Sequence, residues 1–426
     1  MNRRNYFNLC KILLIFIVHI LAVQAHNLDD TLHYTILNNN QLQIAKKKLE
    51  ITILEKPKVI TEFFPNIYSE LSKQSVNSNN QNFLKESLSF IMQQDIFTGG
   101  STIAKLATVD ASINSSYQMY NKVLNKVILE TIQNYQLILT LRKLVLVQKI
   151  NVDIASQSVE KAMVRVKTGA ETKTSLFIAK TSLANTKSDL ESFLIQDTNL
   201  AISFKYFVGI NPPNNLKQIN MRKYQKIRGL DTLELLTKNQ NPDLIKVKND
   251  LKASKGSVSI AASLLLPKVS LFINSSKTRS FSERLSLYEK DHKGSTYGIR
   301  IQIPVLYKGG IQYLHISEAK KKCILHEVAF NFMKDNVEKE MNKLWIQYIA
   351  NKNIYKLARL SEYNCYQTYV NAQTEFHYGA KTLLEVINKQ SDYNLSIIKR
   401  LQKEKDYKIS LFEAYNIAGY LPKMIF

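Results

Sequence analysis

Apolar positions step by three and four along two long stretches of the chain: Ile113, Tyr117, Tyr120, Leu124, Ile128, Ile132, Tyr135 and Leu139 in one, then Phe330, Met333, Val337, Met341, Leu344 and Tyr348 in the other. That spacing gathers them on one stripe of a helix, in the rhythm of a coiled coil. Neither stretch holds a breaker. No Gly or Pro occurs between Gly100 and Gly169 or between Gly310 and Gly379, and the two intervals are equal in length. Both predict single helices longer than a globular core uses, each spanning about 100 Å at a 1.5 Å rise per residue. Second Pro-free segments run from Gly169 to Gly209 and from Gly379 to Gly419. Gly169 and Gly379 are therefore read as turns between antiparallel helices.

Ahead of each long helix the rhythm changes. Tyr297, Ile299, Ile301, Ile303 and Val305 alternate with Gly298, Arg300, Gln302 and Pro304, while Val269, Leu271 and Ile273 alternate less cleanly with Lys268, Ser270, Phe272 and Asn274. A period of two with one apolar face marks a strand. The stretch nearer the N-terminus is weaker, with Leu88, Phe90 and Met92 on one parity and Ile91 on the other. Polar segments, roughly Lys73 to Lys85 and Ser276 to Ser295, are read as the loops between paired strands. Each half of the chain thus offers one hairpin, and the chain four strands. Four strands cannot close a barrel, and an open sheet edge cannot face lipid because its backbone groups would go unpaired. Membrane barrels need at least about eight strands, so hairpins that crossed a membrane would have to be pooled, and three chains would supply twelve.

The scarcest residues repeat in register. Asn39-Asn40-Gln41-Leu42 matches Asn241-Pro242-Asp243-Leu244 and Pro65 matches Pro267, both at an offset of 202. Gly99-Gly100, Gly169-Ala170, and Gly209 with Pro212 match Gly309-Gly310, Gly379-Ala380, and Gly419 with Pro422 at an offset of 210. In a chain with only 12 Gly and 8 Pro, this reads as a tandem duplication with one insertion in the second hairpin loop. The first repeat is placed at 26–225, with its β-hairpin at about 65–99 and its helical hairpin at 100–209. The second is placed at 226–426, with its β-hairpin at about 267–309 and its helical hairpin at 310–419. Pro57 interrupts the first repeat where Ser259 stands in the second, so a kink is expected there.

Composition narrows the function. Arg3, Arg4 and Lys11 precede an apolar run from Ile12 to Val23 that ends in Val23-Gln24-Ala25. Residues 1–25 are accordingly read as a secretory signal, its apolar run too short for a permanent span. No Cys follows that point closely enough to carry a lipid anchor, and no later stretch is apolar for long enough to cross a membrane as a helix. The formal charge of +23 is spread along the chain, with only short runs such as Lys46-Lys47-Lys48 and Lys320-Lys321-Lys322, and no aromatic residues interleave them as a stacking platform requires. Solvated helix faces explain it better than nucleic acid does. Cys323 and Cys365, about 60 Å apart on one helix, cannot form a disulfide. No metal-ligand spacing, phosphate loop or nucleophile elbow is present, so neither catalysis nor a cofactor is expected.

A strand that ends in Ile303-Pro304-Val305-Leu306-Tyr307-Lys308-Gly309-Gly310 and runs straight into a long helix resembles the TolC family of outer-membrane efflux proteins. Val166-Lys167-Thr168-Gly169 and Phe376-His377-Tyr378-Gly379 resemble that family's helix tips, and Tyr206-Phe207-Val208-Gly209 its helix close. The order and mirrored spacing of these motifs, over about Leu28 to Pro422, make the resemblance specific. It implies a mainly α protein with β: long coiled-coil helical hairpins forming an α-barrel, plus a trimeric transmembrane β-barrel with four strands per chain. It further implies a homotrimer in outer-membrane lipid, reaching into the periplasm. Such a trimer is a passive exit duct for efflux or type I secretion that docks with a periplasmic adaptor (membrane fusion) protein and an inner-membrane transporter. The C-terminal extension that family members wrap around the barrel is expected to be missing after Pro422.

In that family the second helix tip narrows the periplasmic entrance with acids six and nine positions beyond its glycine. Here those positions hold Glu385, a match, and Asn388, a departure. Lys381 matches a basic residue that the family uses to hold the entrance shut, whereas Ser175 replaces an acid often found in the first tip. The resemblance thus implies an aperture built from Glu385, Lys381, Asn388 and Ser175, less acidic and less tightly latched than usual. Adaptor docking is expected at Gly169, Ala170, Gly379 and Ala380. The competing reading is a periplasmic coiled-coil adaptor or structural protein of an export system, which would lack strand pairs at the same place in each repeat.

Overall fold

The structure is a computed structural model that describes residues 27–78, 81–225, 227, 229–282, 288–305 and 307–425; the segment read as a secretory signal lies outside the described residues. Three helices, α1 (Leu28–Asn38), α2 (Asn40–Ile53) and α3 (Glu55–Thr61), lead into strands β1 (Asn66–Ser78) and β2 (Gln81–Thr98). The chain then enters α4 (Ser101–Lys167) and returns along α5 (Lys173–Val208). After the short α6 (Met221–Tyr224) the order recurs: α7 (Leu230–Gln240), α8 (Pro242–Ala262), β3 (Lys268–Ser282), β4 (Tyr288–Gln302), α9 (Ile311–His377) and α10 (Leu383–Ile417), closed by α11 (Leu421–Ile425). Helices α4 and α9 have 67 residues each. Cys323 and Cys365 both lie on α9 as free thiols. Among the described residues no helix is long and apolar enough to cross a membrane.

The repeated Asn motif has a local cause. Asn39 Oδ1 accepts from the Leu42 amide at 3.2 Å, and Asn241 Oδ1 accepts from the Leu244 amide at 2.8 Å. Each Asn thus satisfies a helix-start N–H that would otherwise lack a partner. Pro57 also acts locally: the helix breaks at Leu54 between α2 and α3, close to where the proline ring collides with the carbonyl four residues earlier. In the other half, α8 runs unbroken past Ser259.

By packing, the described chain falls into two units. The first comprises 27–43, 123–240 and 339–425, and its core collects the predicted stripes. Ile128, Ile132 and Tyr135 of α4 meet Met341 and Tyr348 of α9, with Leu32, Leu233, Leu411, Phe412 and Tyr415 from the flanking helices. Buried hydroxyls are paired: Tyr135 donates to the Lys217 carbonyl at 2.7 Å, and Tyr415 to the carbonyl of Tyr224. The lower parts of the stripes differ, since Tyr117 is exposed.

The second unit comprises 44–122 and 241–338 and holds one antiparallel sheet in the order β1-β2-β3-β4. The hairpins are taller than the sequence indicates. Most of Lys73 to Lys85 and of Ser276 to Ser295 is strand, not loop, with Lys73 opposite Glu86 and Ser275 opposite Ser295. Polar cross-strand pairs hold these parts, an ion pair at 2.9 Å in the first case and a hydroxyl contact at 3.1 Å in the second. Such pairing leaves little apolar alternation to read. Conversely, β4 ends at Gln302, so Ile303 and Val305 lie beyond it; Pro304 has no N–H to extend the ladder.

The register sorts the sheet into two faces. A row Ile67, Met92, Ile273 and Tyr297 crosses all four strands, and Leu271 with Ile299 and Leu71 with Leu88 lie on the same face. A bulge between Asp95 and Phe97 brings Phe97 opposite Val269, adding it to that band. Most of these side chains are exposed, Tyr297 by 80% and Leu71 by 79%. The opposite face carries Glu70, Ser72, Ser87, Asn274, Thr296 and Arg300, with the Arg300 guanidinium 4.9 Å from the Phe272 ring centre.

Helix α8 lies on the first turns of α4 at a glycine. A Cβ added at Gly256 would sit 2.2 Å from Thr108 Oγ1 and 3.3 Å from its Cβ. In an open helix Gly→Ala stabilises by up to about 1 kcal/mol. Here we expect Gly256→Ala to lower stability by roughly 1–3 kcal/mol, the cost of overpacking. In a Thr108→Ala background the same change should become neutral or stabilising. Thermal melts of the four proteins of this cycle check both signs.

Candidate functional site

Both helix tips are built the same way. Gly169 and Gly379 have φ of +75° and +77°, a left-handed conformation that an L side chain resists. The Gly169 amide donates to the Val166 carbonyl at 3.2 Å and the Ala170 amide to Arg165 at 2.9 Å; Gly379 donates to Phe376 at 3.1 Å and Ala380 to Glu375 at 2.8 Å. This pair of bonds closes the last turn and satisfies two of the carbonyls the helix leaves open. A threonine then starts the return helix in each case, Thr172 for α5 and Thr382 for α10.

The two threonine caps differ at their partner. Thr382 Oγ1 accepts from the Glu385 amide at 3.3 Å, while Glu385 Oε2 accepts from the Thr382 amide and hydroxyl, both at 2.8 Å. That is a reciprocal capping box, legible in the sequence as Thr-x-x-Glu. The backbone and hydroxyl bonds from Thr382 hold the Glu385 carboxyl below the usual carboxylate range. In the first tip Ser175 takes the place of Glu385: its amide and hydroxyl lie 3.3 Å from Thr172 Oγ1.

Charge at the tips is inverted between hairpins. Lys381 Nζ lies 2.7 Å from Glu375, and this bond raises the Lys381 pKa. At the mirrored positions of the first tip, Arg165 lies 3.7 Å from Glu171, whose side chain is only 13% exposed. One backbone turn therefore carries Arg and Glu in one copy and Glu and Lys in the other. Sequence reading named Lys381 but missed Glu375 and Arg165, although the offset of 210 pairs them. Asn388 is exposed one turn beyond Glu385 on α10, so both point to one face.

The tips touch through an aromatic ring. The Arg165 guanidinium stands 4.3 Å from the Phe376 ring centre, and Phe376 also packs against the small cluster of Ala162, Ala179 and Leu383. A cation over an aromatic face is attracted by the ring quadrupole, by about 0.5–1 kcal/mol at exposed sites. Beside this contact opens a cleft of about 810 Å³ lined by Ile154, Lys161, Val164, Tyr369, Gln373 and Val386. Farther along α9 and α10, Arg400 reaches Glu362 by Nε at 2.7 Å and by Nη2 at 3.3 Å, and Glu404 by Nη1 at 3.3 Å. Lys408 caps that chain of charges at 2.6 Å from Glu404. Among the described residues there is no cluster of metal-ligating side chains.

Glu385 thus has two separable roles, cap and charge. Glutamine can also fill the third position of a capping box. We expect Thr382→Ala to cost about 1 kcal/mol of local stability, the usual worth of such a cap, and to speed exchange of the Glu385 amide. Because the folded carboxyl titrates below its unfolded value, the box's charged contribution is present at neutral pH. It is lost only as pH falls through the folded value. Amide exchange at the tip in wild type and in Glu385→Gln, followed from neutral to acid pH, should show that acid loss in wild type only.

Comparison with known proteins bears on the fold. No sequence profile of a known protein family matches the chain. The outer membrane efflux protein BepC of Brucella suis biovar 1 (strain 1330) is 19% identical over 328 residues, 77% of this chain and 71% of that protein. Among solved structures, CusC, studied for its folding and transmembrane channel formation, superposes with a TM-score of 0.82 at 14% identity, over 93% of this chain and 92% of that one. The Campylobacter jejuni CmeC outer membrane channel superposes with a TM-score of 0.76 at 16% identity, over 92% and 85%. The chain has the fold of these outer-membrane channels, and its resemblance to the TolC family holds at that level.

Proposed function

We propose that this chain is a subunit of a TolC-family channel of the outer membrane, a passive, non-enzymatic duct for efflux or type I secretion. Three copies pool their sheets into a twelve-stranded barrel, and their helical hairpins continue into the periplasm. There the tips around Gly169-Ala170 and Gly379-Ala380 meet an adaptor protein that links the duct to an inner-membrane transporter. The observation that carries this reading is the sheet. One face is an exposed apolar band, the other is mostly polar, and β1 and β4 are edges. An apolar face of this kind belongs in hydrocarbon, where every unpaired edge group costs several kcal/mol. Closure with neighbouring copies removes both edges, and twelve strands lie within the range of known barrels. Exposed Leu325, Val328 and Phe332 on α9 supply apolar surface of the sort that copies bury against one another.

At the entrance, three Glu385 carboxylates around a narrow pore concentrate negative potential and favour cations. Lys381 is engaged by Glu375 and Ser175 by Thr172, each inside its own hairpin. We therefore read the entrance as loosely latched.

The mature chain purified in detergent should have the mass of three copies and conduct in planar bilayers. A monomer that inserts no pores overturns the reading. Glu385→Gln, which keeps the capping box, should reduce cation selectivity while leaving trimer mass and tip exchange unchanged. Unchanged selectivity removes Glu385 from the aperture.

A further inference from the structure

The polar face of the sheet changes character along its strands. Successive side chains of a strand alternate between faces, so Phe272, Gly298 and Arg300 share this face with Gln93 and Asp95. Away from the helices, β2 and β3 present small side chains here, Ser89 opposite Ser276 and Ser87 opposite Thr278, and Gly294 of β4 lies opposite Ser276. Nearer the helices the side chains are longer. Gln93, Phe272 and Gly298 form one row, and Asp95, Ser270 and Arg300 form the row next but one along each strand.

Gly298 is a point of close approach between two strands. A Cβ there would stand 3.2 Å from Phe272 Cζ and 3.3 Å from Cε1. The ring therefore lies across the glycine, in space that another residue would fill with its own side chain. Two residues along β4 on the same face, the Arg300 guanidinium stands 4.9 Å from the ring centre, held there by the ring quadrupole. Phe272 is half-buried and Arg300 exposed. Among the described residues no carboxylate pairs with Arg300. Asp95, two strands away in its row, instead lies 3.4 Å from Gln93 Nε2. Toward the helices this face adds the exposed Lys268, opposite Gln302. Asp95 thus stands alone among these rows against two cations.

We propose that Arg300, backed by Phe272, binds organic anions that carry a planar aromatic ring as they pass through the barrel, near its helix-side mouth. The proposal rests on the barrel reading above, which puts the apolar band in lipid and the polar face in the lumen. Twelve strands fall between the roughly eight whose inward side chains fill a barrel and the roughly sixteen that leave an open aqueous channel. Long inward side chains therefore reach the path of the cargo. Three copies set three guanidinium groups at one level, an arrangement that selects for anions, opposite in sign to the Glu385 ring at the entrance. A guanidinium donates in a fixed fork to a carboxylate or sulfonate and stacks on an aromatic plane. With one face toward Phe272, the group keeps its N–H edge and its other face for the cargo.

The test uses the mature channel in planar bilayers, with naphthalene-1,5-disulfonate and butane-1,4-disulfonate as blockers of equal charge. In wild type, half-block should need roughly three- to fivefold less of the aromatic probe. Arg300→Gln should raise the half-blocking concentration of both probes by roughly tenfold. Arg300→Lys keeps the charge without the plane, so it should retain block by the aliphatic probe and lose the aromatic preference. Phe272→Leu should lose that preference too, and Lys293→Gln, on the opposite face, should change neither value. Trimer mass and open conductance identify the variants that assemble; if Arg300→Gln does not, the preference in Arg300→Lys and Phe272→Leu decides. Equal block of wild type and Arg300→Gln overturns the site, as does equal block of wild type by the two probes or a preference that survives in Arg300→Lys and Phe272→Leu. In each case wild-type conductance leaves the channel reading standing. A wild-type chain that forms no pores overturns both.

Discussion

Backbone hydrogen bonding is the constraint on which this structure rests. A helix satisfies its own amides and carbonyls except at its ends, which is why α4 and α9 can each run for 67 residues without help from neighbours. A strand cannot. The four-stranded sheet pairs β1 to β2, β2 to β3 and β3 to β4 and then leaves β1 and β4 with one open side each. Because its apolar band is exposed as well, the sheet joins a surface suited to hydrocarbon with edges that hydrocarbon does not tolerate. The proposed pooling of sheets from several copies would resolve both.

At the helix ends the same constraint is met locally. Gly169 and Gly379 take the left-handed turn and return two carbonyl bonds, and Thr172 and Thr382 satisfy the next helix starts. With the backbone fixed by these groups, the remaining tip positions are free to vary in charge. One copy carries Arg165 with Glu171 and the other Glu375 with Lys381. The Glu375–Lys381 pair reaches solvent, where an ion pair contributes little to stability, so charge at that tip can vary without putting the turn at risk. Phe376, set under Arg165 and against Ala162 and Leu383, supplies the apolar contact between the hairpins that ion pairs in water cannot.

The sheet shows where a periodicity argument stops. Alternation found β4 near Tyr297, Ile299 and Ile301, because one face there is apolar. It missed the outer halves of all four strands, where Lys73 meets Glu86 and Ser275 meets Ser295, because polar residues far outnumber the apolar ones there. It also extended β4 to Val305, where Pro304 ends the ladder. The bulge at Asp95 and Phe97, which restores Phe97 to the apolar band, shifts parity and so erases the pattern a strand is read by.

What the sequence by itself determined was local: the long helices, from stripes at three-and-four spacing with no breaker; the turns, from rare glycines repeated at fixed offsets; and the break near Pro57. Each follows from interactions within a few residues, which a linear string records. Only the tertiary structure decided that Arg165 stacks on Phe376. It alone also placed Lys277 opposite Lys293. Those pairings depend on register between strands and on rotation between helices. Both are set by packing across long loops, and no spacing along the chain encodes them.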